Sequence, residues 1–222
     1  RFLRQFYNAF RIDPVIEVAR SPKALRSNLI RIYETLIERD VHTFFNRLEQ
    51  ASQHYARNLN YGDEELSPEL SRALQDLDNV TGVDGYMLLL FIDRRFGIED
   101  GEKARLVNLL CRYFLRRNIT DTPPTRDLTN HFMDIIAEAD KLEAYSYDAL
   151  KAILLEYGRP ASDTLFEEKL RGDVYDENVG ATRYLLSALE RSLSETKERF
   201  TDFYARQKTQ FVWTIEHVFP QG

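Results

Sequence analysis

The sequence predicts an all-α fold, an irregular bundle of about eight to ten helices. Three observations carry this reading. Apolar side chains recur at three- and four-residue spacing through nearly the whole chain, as in Phe2, Leu3, Phe6, Tyr7 and Phe10. Helix-opening signatures, Ser followed by Pro or a lone Ser ahead of an apolar run, stand at Ser21-Pro22, Ser67-Pro68, Ser146 and Ser162. Strand-like alternation is confined to the last dozen residues, where Phe211, Trp213 and Ile215 alternate with Val212, Thr214 and Glu216. A short C-terminal strand or extended segment over 211–216 is therefore expected beside the helices.

The elements follow in order. The Phe2–Phe10 pattern is an amphipathic helix without a cap of its own, and Pro14 interrupts it. Ser21-Pro22 should open a second helix with Leu25, Leu29, Ile32, Leu36 and Ile37 inward. A break near Asp40 would precede the continuation through Val41, Phe44, Phe45, Leu48 and Tyr55. His42 and His54 have no partner at metal-ligand spacing and read as structural. An acidic loop over 61–65 leads to a helix from Ser67-Pro68 that buries Leu70, Leu74 and Leu77. Thr81-Gly82 and Asp84-Gly85 then break the chain. Tyr86 to Phe96 is the most apolar helix and should be central, with Gly97 just past its end. Glu102–Asn118 follows, with Leu106, Leu109, Leu110, Tyr113 and Phe114 inward. Thr125 or Asp127 should cap a helix burying Leu128, Phe132, Ile135 and Ile136. Ser146 should cap one burying Leu150, Ile153 and Leu154, and Ser162 a short one ending at Gly172. After an acidic loop over 173–180, one long helix is expected from Thr182 to about Gln207, bearing Tyr184, Leu185, Leu189, Leu193, Phe200 and Phe203.

Composition bounds the function. The 222 residues are 43% hydrophobic and 30% charged, with a net charge of −6, and the pI is near 5.4. An acidic chain is a poor candidate for a general basic clamp on nucleic acid. No run approaches the ~20 apolar residues of a membrane span, so no membrane partner is expected. A single cysteine, Cys111, forbids an internal disulfide and fits the reducing cytoplasm; its apolar neighbours make it a core thiol. The chain opens on Arg1 without a signal sequence or Met, as an excised piece of a longer protein would. Neither GxGxxG nor GxxxxGK[ST] is present.

The chemistry-bearing residues lie at the end. Glu216 and His217 stand side by side at the exit of the expected strand, ahead of Pro220. An imidazole titrates near neutrality and can take a proton from water, and a carboxylate suits Mg²⁺ or Mn²⁺. Most isolated Glu-His pairs are solvated surface pairs, but the string Ile215-Glu-His-Val-Phe-Pro-Gln221 resembles the opening motif of the His-Me finger (HNH-type) nuclease domain of GmrSD-type, modification-dependent (type IV) restriction endonucleases. The resemblance implies that His217 is the general base, that Glu216 is a candidate metal ligand, and that Pro220 and Gln221 form the turn that follows. It implies Mg²⁺ or Mn²⁺ as the cofactor of a parent nuclease that acts on DNA in phage defence. Residues of that family that would complete the site lie downstream of Gly222, so the chain alone is expected to be inactive.

A second stretch is similar to the helical region ahead of the nuclease motif in the same family. It comprises Tyr113-Phe-Leu-Arg-Arg-Asn-Ile119, Leu128-Thr-Asn-His-Phe132, Asp163-Thr-Leu-Phe166, Val174-Tyr175 and Arg183-Tyr-Leu-Leu-Ser-Ala-Leu-Glu190. The likeness spans 85–222, while the first 80 residues are similar only in being helical. The family's N-terminal Asp-Gly-Gln-Gln-Arg type motif is absent, so nucleotide hydrolysis is not expected. The organisation expected is an N-terminal helical subdomain over 1–80, a helical region over 81–210 and the start of a nuclease domain over 211–222. Arg116 and Arg117 have two readings: cations offsetting a helix C-terminus, or a phosphate contact to nucleic acid. Two alternatives to a nuclease scaffold stand beside it, a non-enzymatic helical interaction or homodimerisation module and a helical nucleic-acid-binding domain.

Overall fold

In a computed structural model, residues 1–193 and 201–215 are described. Among the described residues the fold is all-α with one small hairpin. The helices are α1 (Phe2–Phe10), α2 (Leu29–Leu59), α3 (Pro68–Asn79), α4 (Gly85–Phe96), α5 (Asp100–Thr120), α6 (Thr125–Ala139), α7 (Tyr147–Tyr157), α8 (Asp163–Leu170), α9 (Val174–Glu177) and α10 (Val179–Leu193). Strand β1 (Arg206–Gln207) pairs antiparallel with β2 (Gln210–Phe211), Arg206 lying opposite Phe211.

α4 is the centre, as its composition requires: every residue from Gly85 to Ile92 is buried. Gly97 ends it in the left-handed region at φ 57°, and its N–H donates to the Ile92 carbonyl at 3.4 Å. The turn before α4 presses against α5. A Cβ on Gly82 would overlap Leu77 Cδ1 and Phe114 Cδ2, so the close approach demands glycine there. Phe114 in turn stacks on Phe132 of α6 with ring centroids 5.5 Å apart. The buried side chains form one cluster running from Phe6 to Tyr184, which crosses the boundary expected near residue 80.

Ser67, Ser146 and Ser162 cap their helices as expected, accepting from the N–H groups of Leu70, Ala149 and Leu165. Ser21 does not. Residues 11–28 fold as turns, and α2 starts only at Leu29. Tertiary partners outcompete the local signature. The buried Tyr7 hydroxyl donates to the Ser21 carbonyl at 2.5 Å, Ser21 Oγ accepts from Arg31 at 2.9 Å, and Asn8 Oδ1 accepts from the Ala24 N–H at 2.7 Å. The expected break at Asp40 is present. Its backbone leaves the helical region (φ −163°, ψ 92°), and its carboxylate accepts from the Thr43 N–H at 3.0 Å, opening the second half of α2 as a cap. The kink re-phases the buried stripe. Phe44 and Tyr55 point inward, while Leu25, Ile37, Val41 and Phe45 are exposed rather than buried.

Further departures concern the second half. Neither Thr125 nor Asp127 caps α6, because Thr125 Oγ1 accepts from Arg117 Nη2 at 2.5 Å and Pro124 precedes the helix. The loop expected over 173–180 contains the single turn α9. The helix expected from Thr182 to Gln207 begins earlier, at Val179, and residues 201–207 do not continue it. Asp202 Oδ1 accepts from the Tyr204 N–H at 2.9 Å, and the chain then turns into the hairpin at Lys208, φ 58°. Phe200 lies outside the described residues, as do Glu195 and Arg199, which stand four apart and are expected from the sequence to pair on the exposed face of that helix. α10 also turns the opposite way from its leucine pattern. Ala181, Arg183, Tyr184 and Ser187 are buried, whereas Leu189 and Leu193 are exposed. The strand expected over 211–216 reduces to Gln210–Phe211, and Val212–Ile215 pair with no ladder.

Candidate functional site

Glu216 and His217 lie outside the described residues. The chain leading to them is described as far as Ile215, and its attachment to the helical body is specific. Arg183, on the buried face of α10, donates from Nη1 to the carbonyls of Phe203 at 3.0 Å and Trp213 at 2.9 Å. Its guanidinium lies 4.0 Å from the centroid of the Phe211 ring, and that of Arg206 lies 4.2 Å from the same centroid. Phe203 and Trp213 meet edge-on at 6.3 Å, and the Val212 N–H donates to the Ala205 carbonyl at 2.9 Å. One cation thus ties both ends of the 203–213 excursion to α10. In the sequence Arg183 opens the run Arg183–Glu190, and an arginine between apolar positions of a helix is the signal that it is buried with partners.

Beside this anchor, a cavity of about 360 Å³ opens between α3, α10 and residues 202–204. Asp76 and Arg191 line it as a direct ion pair. Arg191 Nη1 donates to both carboxylate oxygens of Asp76, at 2.9 and 2.8 Å. Burial pushes the Asp76 carboxyl above its ordinary range despite the neighbouring cation. Behind it Cys111 is buried, its thiol pushed up to about 12 chiefly by burial, which makes it the inert core thiol expected. Burial also raises the Tyr184 and Tyr204 hydroxyls. These groups hold α10 and the following segment against α3. No nucleophile among them is activated.

Arg116 and Arg117 both work inside the chain. Arg116 donates to the Ala161 carbonyl at 2.9 Å, pairs with Asp163 at 2.6 Å and lies 4.8 Å from the centroid of Phe166. Arg117 donates to the Pro123 carbonyl, to Asp121 at 2.6 Å and to Thr125 Oγ1. Arg116 joins α5 to α8, and Arg117 closes the turn into α6. His131 is half-buried beside Phe132. Among the described residues, no group of three or more His, Cys, Asp and Glu side chains could hold a metal ion, and no helix is long and apolar enough to cross a membrane.

Comparisons with protein-family models, curated proteins and solved structures found no match to this chain. The site must therefore be read from its own residues.

Proposed function

We propose that the chain is the helical scaffold of a DNA restriction endonuclease, mounting a His-Me finger motif whose first residues are Glu216 and His217. The observation that carries this reading is the Arg183 anchor. A catalytic motif needs a rigid support, and a buried cation on α10 fixes the backbone at Trp213, four residues ahead of His217. The string Ile215 to Gln221 supplies the chemical half of the argument through its family resemblance.

In this reading, His217 accepts the proton of the attacking water in phosphodiester hydrolysis. Glu216 is the candidate ligand for Mg²⁺ or Mn²⁺, and the ion would supply charge stabilisation at the phosphate. α10 and the 203–213 excursion anchor the chain that leads to His217 as far as Trp213. Arg116 and Arg117 position α8 and α6. The test is His217→Ala in the intact parent protein, assayed for cleavage of modified DNA. Loss of a positioned general base costs ~10²–10⁴-fold in rate, and the melting curve should stay native. Near-normal cleavage with a native melting curve would reject His217 as the base.

A second reading, a non-enzymatic module for coupling or homodimerisation, draws on one observation. Leu186, Leu189 and Leu193 form an exposed stripe on α10, with Val212 and Trp213 also exposed. If the parent protein lacks cleavage activity while the chain self-associates, that reading replaces the first.

A further inference from the structure

Charge is distributed unevenly along this chain. Residues 1–31 hold seven basic side chains against two acidic ones, Asp13 and Glu17, although the chain as a whole has a net charge of −6. Folding deepens the asymmetry, because Asp13 is taken by Arg94 of α4 at 2.9 Å. Among the described residues, the only other ion pair that residues 1–60 enter is Arg57 with Asp100. Arg4, Arg20, Lys23, Arg26 and Arg31 thus have no carboxylate partner among the described residues.

The fold gathers these five cations on one face. Arg4 and Asn8 stand four apart on α1 and share a side of that helix. Asn8 Oδ1 accepts from the Ala24 N–H at 2.7 Å, which brings Lys23 to the same side. Ser21 holds Arg20 close to Arg31, since its Oγ accepts from Arg31 Nη2 at 2.9 Å. Asn28 donates to the Lys23 carbonyl at 3.0 Å and accepts from the Leu25 N–H at 2.7 Å, closing the turn that bears Arg26. Lys23 Nζ donates to Asn130 Oδ1 of α6 at 2.9 Å. Beneath them, burial raises the Asp84 carboxyl, while the Thr129 bond and then Lys23, Arg4 and Arg117 act against that rise. Lys23 is half-buried and the other four cations are exposed. Glu34 and Asp134, about one helical turn beyond Arg31 and Asn130, border the face. Solvation accounts for arginines scattered over a surface. It does not account for five cations drawn from α1, the turns of 11–28 and α2 onto one face, their repulsion unrelieved, in a chain richer in acids than bases.

We infer that this face binds the phosphate backbone of duplex DNA through Arg4, Arg20, Arg26 and Arg31, with Lys23 adding its charge beside Asn130. Guanidinium forks match phosphate oxygens, and an acidic chain needs a local positive face to meet a polyanion. Contacts to phosphate carry no base preference, so the face positions a duplex without reading its sequence. The choice of DNA among polyanions rests on the nuclease reading; the positive face itself does not.

The experiment titrates a short fluorescent DNA duplex with the whole chain, reading anisotropy between about 50 and 200 mM salt, beside sedimentation with phosphatidylserine vesicles. The test variant is Arg4→Ala with Arg26→Ala. Neither side chain enters an ion pair among the described residues, so the thermal melt should stay native. Binding should be saturable and weaken as salt rises, and the double variant should bind more weakly with a log–log salt slope shallower by about two, the loss of two phosphate contacts. Arg4→Lys with Arg26→Lys should keep the slope. Absence of duplex binding at the lowest salt would overturn the inference. So would affinity and slope unchanged in the natively folded alanine variant, or binding to vesicles in place of DNA. The two readings fail separately. Duplex binding through this face, with parent cleavage indifferent to His217→Ala, sinks the nuclease reading alone; cleavage that depends on His217, with duplex binding indifferent to Arg4 and Arg26, sinks this one alone.

Discussion

Replacing Arg183 by Met keeps most of the side-chain volume and removes the guanidinium. Arg183 is 8% exposed and makes two hydrogen bonds, to the carbonyls of Phe203 and Trp213. Hydrogen bonds from a charged donor contribute ~1.5–3 kcal/mol each, and the Phe211 contact adds about 0.5–2 kcal/mol. Bonds that share one nitrogen are not additive, and Met recovers part of the packing. A net loss of about 2–3 kcal/mol is therefore expected. That loss falls on the attachment of 201–215 rather than on the whole fold, because the core cluster from Phe6 to Tyr184 includes none of those residues. Opening of the segment should become about 30–150-fold more frequent at this cost. The chain has a single tryptophan, Trp213, within the segment itself. Its emission should shift to the red and its quenching by acrylamide rise in Arg183→Met. The Val212 amide, bonded to the Ala205 carbonyl, should exchange faster by the same factor. Far-UV circular dichroism should stay that of the parent chain. Unchanged Trp213 quenching together with unchanged Val212 exchange would refute the anchor.

Two further expectations concern buried charge. Lys103 and Asp93 form an ion pair at 2.7 Å, their side chains 4% and 7% exposed, with Asn58 Nδ2 donating to the same carboxylate at 2.8 Å; Lys103→Ala strands Asp93 and should cost about 3–5 kcal/mol in urea unfolding, and a loss under 1 kcal/mol would show that water reaches the carboxylate. Asp84, which accepts from Thr129 Oγ1 at 2.9 Å, has its carboxyl raised from 3.8 chiefly by burial. Between 3.8 and the raised folded value, the native state binds more protons than the unfolded one, so this group's contribution to stability falls as pH rises through that window. Asp84→Asn should therefore melt at or above the parent temperature at neutral pH. Its advantage should shrink as pH falls through the window, and a widening gap on acidification would reverse the sign.

The sequence by itself determined most of the helices, because the apolar period and the helix caps are local. Tyr86 to Ile92 had to be interior whichever neighbours surrounded it, and Gly97 could end α4 through its own backbone freedom. Ser67, Ser146 and Ser162 each cap with an N–H three residues away, which needs no tertiary partner. Asp40 marked its kink for the same reason. Ser21 looked identical in sequence and failed, because Tyr7, Asn8 and Arg31 claimed its segment from other parts of the chain. The facing of α10 was also a tertiary decision. Leu189 and Leu193 suggested an apolar interior stripe, yet burial fell to Arg183 and Ser187, since only the packed structure supplies carbonyls at Phe203 and Trp213 for the arginine to meet. Glu216 and His217 were legible as chemistry in the sequence but lie beyond the described chain. The Arg183 anchor belongs to the tertiary structure alone: residues 183, 203 and 213 meet only after α10 and the hairpin segment have packed, and no spacing along the chain encodes that meeting.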